Sequence, residues 1–207
     1  MEEKYSFLFT FRGVIFHSIS WSLIQKFKDI HLFQDSSKRN SLFKLEEEYS
    51  SGRSSTEEFF DQITLLFQNV INPSDIWSLV YQRAFLVEGV PAIISEIKNK
   101  YPIFGFSHFR SDILQKLLLK LRLDDVFKDE NIIYSSDFGE LAHGDSLINN
   151  LVYEKNIRPG RTIWIDADPK TVSRAVRNDF PAIIFIDDRR LRREIALREL
   201  LPLLGDE

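Results

Sequence analysis

Tyr5-Ser-Phe-Leu-Phe-Thr-Phe-Arg-Gly-Val-Ile15 is the stretch on which the fold turns. Phe7, Leu8 and Phe9 form a short apolar run, and Gly13 stops it. That pattern belongs to a buried strand that leaves a sheet and turns at a glycine. When helices cross behind such strands, the carboxyl ends converge on one crevice, where the ligands of open α/β sheets sit. Thr10 and Arg12 stand at that end.

Working outward, the segment from Ser18 to about residue 85 carries helical spacing. Ile19, Leu23, Ile24, Phe27 and Ile30 recur at threes and fours, and Leu42, Phe43, Leu45 and Tyr49 follow after a polar break over 35–41. Ser55-Thr56-Glu57-Glu58 reads as a helix start, with Ser55 or Thr56 as the cap and Phe59, Phe60, Ile63, Leu66 and Phe67 on the buried face. Asn72-Pro-Ser-Asp75 caps a further helix through Trp77, Leu79 and Val80. Four helices without a strand make a small bundle inserted after the first strand.

From Val87 onward, strand and helix alternate. Gly89-Val90-Pro91 opens a helix carrying Ile93, Ile94 and Ile97. Tyr101 to Phe106 is a buried strand ending at Ser107-His108-Phe109, followed by a helix through Ile113, Leu117 and Leu121. Ile132 to Tyr134, Thr162 to Ile165 and Ala182 to Ile186 are three more strands, with helices over Leu147 to Val152 and Val172 to Val176. This alternation means right-handed crossovers and a parallel sheet covered on both faces. Arg189, Arg190, Arg192 and Arg193 read as the solvated face of a last helix over Arg189 to Leu204, with a site for an acidic partner as the alternative.

The 207 residues suffice for one substantial domain, with or without a small insertion. Charge is nearly balanced at −4, so no nucleic-acid footprint stands out. No apolar run reaches the roughly 18 residues that span a bilayer, and the amino terminus lacks the layout of a signal peptide. The absence of cysteine excludes disulfides, thiolate catalysis and zinc–thiolate sites. A soluble cytoplasmic protein is the expectation, with neither nucleic acid nor membrane as partner.

In combination, the Gly13 turn, the inserted bundle, Gly89-Val90, the strand ending at Ser107, Gly139 and the strand ending at Asp166 resemble the haloacid dehalogenase (HAD) superfamily, in its helical-cap subclass. The resemblance implies an α/β core with a Rossmann-like parallel sheet over residues 1–17 and 86–207, and a small helical cap over 18–85. It also locates the family's chemistry in this chain. The opening motif of that family, Asp-x-Asp-Gly, puts its nucleophile at Thr10 and its general acid at Arg12. Neither can act so: a threonine hydroxyl is a poor nucleophile without a base, and a guanidinium is no acid at neutral pH.

The remaining motif positions are mixed. The strand-end hydroxyl is kept as Ser107, with His108 following it where the family has asparagine. The phrase Ser136-Asp-Phe-Gly139 onward places the family's lysine at Ala142, with His143 beside it. Trp164-Ile-Asp166-Ala-Asp168 keeps one acid in place and a second just beyond. Asp166 and Asp168 are the candidate metal ligands, and weak ones without an acid at 10 or 12.

If the first and fourth strands are neighbours, Arg12 should lie near Asp166, where a pair at about 4 Å is worth on the order of 4 kcal/mol before desolvation. An internal ion pair standing in for the metal is the expectation. The implied function is that of a catalytically degenerate HAD-like protein, a binding or regulatory module with Arg12, Ser107, His108 and His143 as candidate ligand contacts. No cofactor is expected, Mg2+ entering only if the protein is active. The implied partner is a small phosphorylated molecule or a protein. A hydrolase recruiting Asp166, Asp168, Ser107 and His143, and a scaffold with an idle crevice, are the alternatives.

Overall fold

The computed structural model describes residues 5–82, 87–139, 148, 151–152, 155–198 and 200. Five strands, β1 (Ser6–Thr10), β2 (Ile103–Ser107), β3 (Ile132–Tyr134), β4 (Thr162–Asp166) and β5 (Ala182–Ile184), pair in parallel in the order β3, β2, β1, β4, β5. The fifth strand ends at Ile184, two residues earlier than its apolar run suggests, and Ile186 is exposed beyond it.

β1 is central and has no solvent-facing side, because both sides of the sheet are covered. Phe7 and Phe9 enter one apolar core while Leu8 enters the other, with Phe106, Trp164 and Phe180. Alternate side chains of a strand point to opposite faces, so a run of three apolar residues fills two cores at once. The chain order reverses between β1 and β4, which makes their carboxyl ends the switch point of the sheet.

Between β1 and β2 lie five helices, α1 (Ile19–Lys26), α2 (His31–Gln34), α3 (Ser36–Ser50), α4 (Thr56–Leu66) and α5 (Pro73–Gln82), and then α6 (Val90–Ile97). The polar stretch 35–41 is no break. It is the start of α3, because the Asp35 carboxylate accepts from Ser37 N and Lys38 N and so caps the helix. Ser55 and Glu58 form a reciprocal capping box at α4, and Asn72 and Asp75 exchange equivalent bonds at α5.

Beyond β2 come α7 (Ser111–Leu121), β3, and the single turn α8 (Ser135–Phe138), which stops at Gly139. Helices Pro169–Arg177 and Asp188–Ala196 follow β4 and β5. The helix expected over Leu147 to Val152 and the last residues to Leu204 lie largely outside the described residues, as do Ala142 and His143. Among the described residues no helix is long and apolar enough to cross a membrane.

Candidate functional site

The first turn of the chain positions the site. After Thr10 the backbone closes a wide loop in which Phe16 N donates to Phe11 O at 2.8 Å. Gly13 sits in that loop at φ +86°, and a Cβ there would come within 2.9 Å of the Ala167 Cβ. Only glycine gives both the left-handed backbone and the close approach to the turn after β4. Thr10 and Asp166 are thereby brought side by side at the switch point.

Thr10 Oγ1 donates to Asp166 Oδ2 at 2.5 Å, and Trp164 Nε1 donates to Thr10 Oγ1 at 3.1 Å. The other carboxylate oxygen, Oδ1, accepts from Asp168 N at 2.7 Å. Both oxygens of Asp166 are therefore occupied by the protein itself. Burial is the main influence on this carboxyl and raises its pKa from 3.8 to about 6. The Thr10 and Asp168 bonds pull it back down, and Arg12 does so least of all.

Arg12 lines the same crevice yet makes no direct ion pair with Asp166. The expected internal salt bridge is replaced by the Thr10 bond, which fills the position a guanidinium would need and leaves only a weak field from Arg12. Ser107 is fully buried at the end of β2, where its hydroxyl donates to Phe109 O at 2.8 Å and accepts from Phe109 N at 3.0 Å. It closes its own turn and does not line the crevice. His108, buried and edge-on to Phe106, does line it. Asp168 caps the helix Pro169–Arg177 through Lys170 N and Thr171 Oγ1.

The crevice has a volume of about 620 Å3. Its outer wall comes from residues on which the motifs were silent: His17, Trp21, Phe43, Glu46 and Glu47. His17 stacks on Trp21 with ring centroids 4.4 Å apart, and burial lowers its pKa. Glu46 is buried in α3 and accepts from Ile19 N at 2.8 Å and Ser20 N at 3.4 Å, holding the start of α1. A signal for Glu46 does exist in the sequence. It falls four residues after Leu42 and three before Tyr49, on the buried side of the helix.

The magnesium ion that the family resemblance would imply for an active protein does not fit the side chains present. Mg2+ takes near-octahedral oxygen ligands at short range, and of the two candidate acids Asp166 has the proton of the Thr10 hydroxyl pointed at it while Asp168 caps its own helix. Among the described residues, no group of three or more His, Asp or Glu side chains could hold a metal ion.

No family model matches this sequence, and no curated protein matches it. Solved structures do. A predicted HAD-like family hydrolase from Porphyromonas gingivalis is similar with TM-score 0.73 and 20% identity, covering 97% of this chain and 99% of that one. A HAD family enzyme from Bacteroides thetaiotaomicron, in complex with magnesium and inorganic phosphate, has TM-score 0.70 and 18% identity over 89% of this chain and 96% of that one. The L-2-haloacid dehalogenase from Xanthobacter autotrophicus, with chloropropionic acid covalently bound, has TM-score 0.64 and 13% identity over 97% and 85%. The chain is built on the α/β fold of the HAD-like hydrolases.

Proposed function

We propose that this protein is a cytoplasmic binding or regulatory module on the HAD-like fold, without the fold's metal-dependent hydrolysis. One observation carries the reading: the residue at the end of β1 is a hydroxyl that donates to Asp166. A donor in that place neither attacks an electrophile nor shares a divalent ion with the acid beside it. A helical cap over the crevice would select what binds, as it does when such lids close on substrates. The resemblance suggests a small phosphorylated molecule or a protein as the partner.

The test is hydrolysis of p-nitrophenyl phosphate with and without Mg2+, run beside melting curves with a panel of charged small molecules of both signs, phosphorylated metabolites among them. No Mg2+-dependent turnover, together with a ligand-induced rise in melting temperature, is the expected result. Turnover abolished by Asp166→Ala would overturn the proposal.

One observation favours a second reading, an acid–base hydrolase using Asp166. A carboxyl with its pKa raised to about 6, beside a crevice, is the kind of group that active sites employ. On that reading activity persists without metal and vanishes in Asp166→Asn.

A further inference from the structure

The charge and the walls of the crevice say what kind of molecule would suit it. Among the described residues, Glu46, Glu47, Asp166 and Asp168 line it together with the guanidinium of Arg12. His17 adds little positive charge near neutral pH, since burial lowers its pKa. A cleft lined mainly by one sign of charge focuses its field on the opposite sign, so this one draws in cations and repels a phosphate dianion.

The outer wall is aromatic. Trp21 and Phe43 line the same crevice and remain 44% and 43% exposed. They come from two different helices, α1 and α3, and the placement of the first is fixed by the Glu46 carboxylate at the start of α1. Exposed aromatic surface in a concave site, with a few charged groups beside it, is the composition of a small-molecule pocket. Trp and Phe faces also attract cations directly, Trp most strongly.

We propose that the crevice binds a small organic cation carrying a planar ring, an aromatic amine, with the ring against Trp21 and Phe43 and the ammonium beside Glu47 and Asp168. This rests on the binding-module reading and sets an organic cation in place of the phosphorylated ligand that the resemblance suggests. No covalent step is involved, and the ligand leaves unchanged.

The experiment titrates the protein with tryptamine and 2-phenylethylamine, with indole-3-acetate and phenylacetate as anions of the same rings, and with inorganic phosphate. Tryptophan fluorescence and calorimetry are the readouts. The amines should bind saturably, their anionic counterparts at least about tenfold more weakly, and added salt should weaken the amines. Trp21→Ala should cost roughly tenfold in affinity. Glu47→Gln, an exposed position that leaves the fold untouched, should weaken binding severalfold.

Phosphate or the anionic rings binding more tightly than the amines, without turnover, would overturn this inference and leave the binding module standing. So would the absence of saturable amine binding up to about 10 mM. Hydrolysis of a phosphoester would instead bring down the module reading itself.

Discussion

Thr10 and Asp166, 156 residues apart in sequence, share a hydrogen bond of 2.5 Å in which the threonine is the donor. Trp164 donates to the threonine in turn, so a buried chain of three polar groups spans the switch point of the sheet. Each member is nearly sealed from water: Trp164 and Thr10 are 1% exposed and Asp166 3%. Groups buried so deeply must satisfy one another, because an unpaired one carries its full desolvation cost.

Thr10→Val keeps the shape of the side chain and removes the hydroxyl. It strands both Trp164 Nε1 and Asp166 Oδ2, so stability should fall by about 2 kcal/mol or more. Urea denaturation at neutral pH measures the loss. An unchanged midpoint would mean that the hydroxyl is dispensable and that the chain of three is incidental.

The titration of Asp166 sets a pH dependence. Its folded pKa is about 6 against an ordinary 3.8, so between these values the folded chain keeps a proton that the unfolded chain has released. The contribution is therefore complete below the lower value and is lost as pH rises through the upper one, a change of about 3 kcal/mol. Glu58, Glu96 and Asp125 shift downward and contribute with the opposite sign. The difference between the parent and Asp166→Asn isolates the one residue. That difference, followed by denaturation from pH 4 to about 7, should slope as stated; a flat difference refutes the assignment.

Thr10→Asp tests whether metal binding fails for want of a single charge. Two adjacent buried carboxylates repel, so the variant should lose about 2 kcal/mol or more without divalent ions. Millimolar Mg2+ should then raise its melting temperature while leaving the parent's unchanged. A parent that responds to Mg2+ as strongly as the variant would contradict the misfit of the ion.

The framework of this protein was legible in its sequence, and the reasons are local. Phe7, Leu8 and Phe9 announce a doubly covered strand, and Ser55 with Glu58 announces a helix start. The polar stretch 35–41 has the composition of a break, yet the capping capacity of Asp35 outweighs that polarity and starts α3 there. The site was half legible. Asp166 and Thr10 stand at strand ends that any parallel sheet brings together, but which of Thr10 and Arg12 would engage the acid depends on the turn at Gly13, and spacing does not encode that geometry. Trp21 and Phe43 reach the crevice through the docking of separate helices, a tertiary relationship with no short-range signature.

Glu46 shows how a charge within an acidic run can be structural. Glu46→Ala leaves Ile19 N and Ser20 N without their acceptor at a buried helix start, at a cost of about 2 kcal/mol. Glu47→Ala, the exposed neighbour, should cost less than about 0.5 kcal/mol. Equal effects in thermal denaturation would remove the distinction.

The end of α3 is one of the places where the helical segment is fastened to the sheet, beside the contacts of α5 with α7. Ser135 Oγ donates to Ser50 O at 2.5 Å, and Arg110 N donates to Tyr49 Oη at 3.1 Å. Between these bonds Gly52 adopts φ +79°, and a Cβ on it would lie 2.7 Å from Ser136 O. Gly52→Ala therefore meets two obstacles, a left-handed backbone and a backbone oxygen that cannot withdraw without moving α8. Gly160 supplies the control, since it shares the conformation at φ +74° but has open space where its Cβ would go. Gly160→Ala should cost about 1 kcal/mol from the backbone alone, and Gly52→Ala clearly more, at about 3 kcal/mol. Hydrogen exchange should also rise at Tyr49 to Ser54 in the Gly52 variant and stay at parent levels in the Gly160 variant. Equal losses in the two variants, or protection unchanged around Tyr49, would show that the junction does not depend on that close approach.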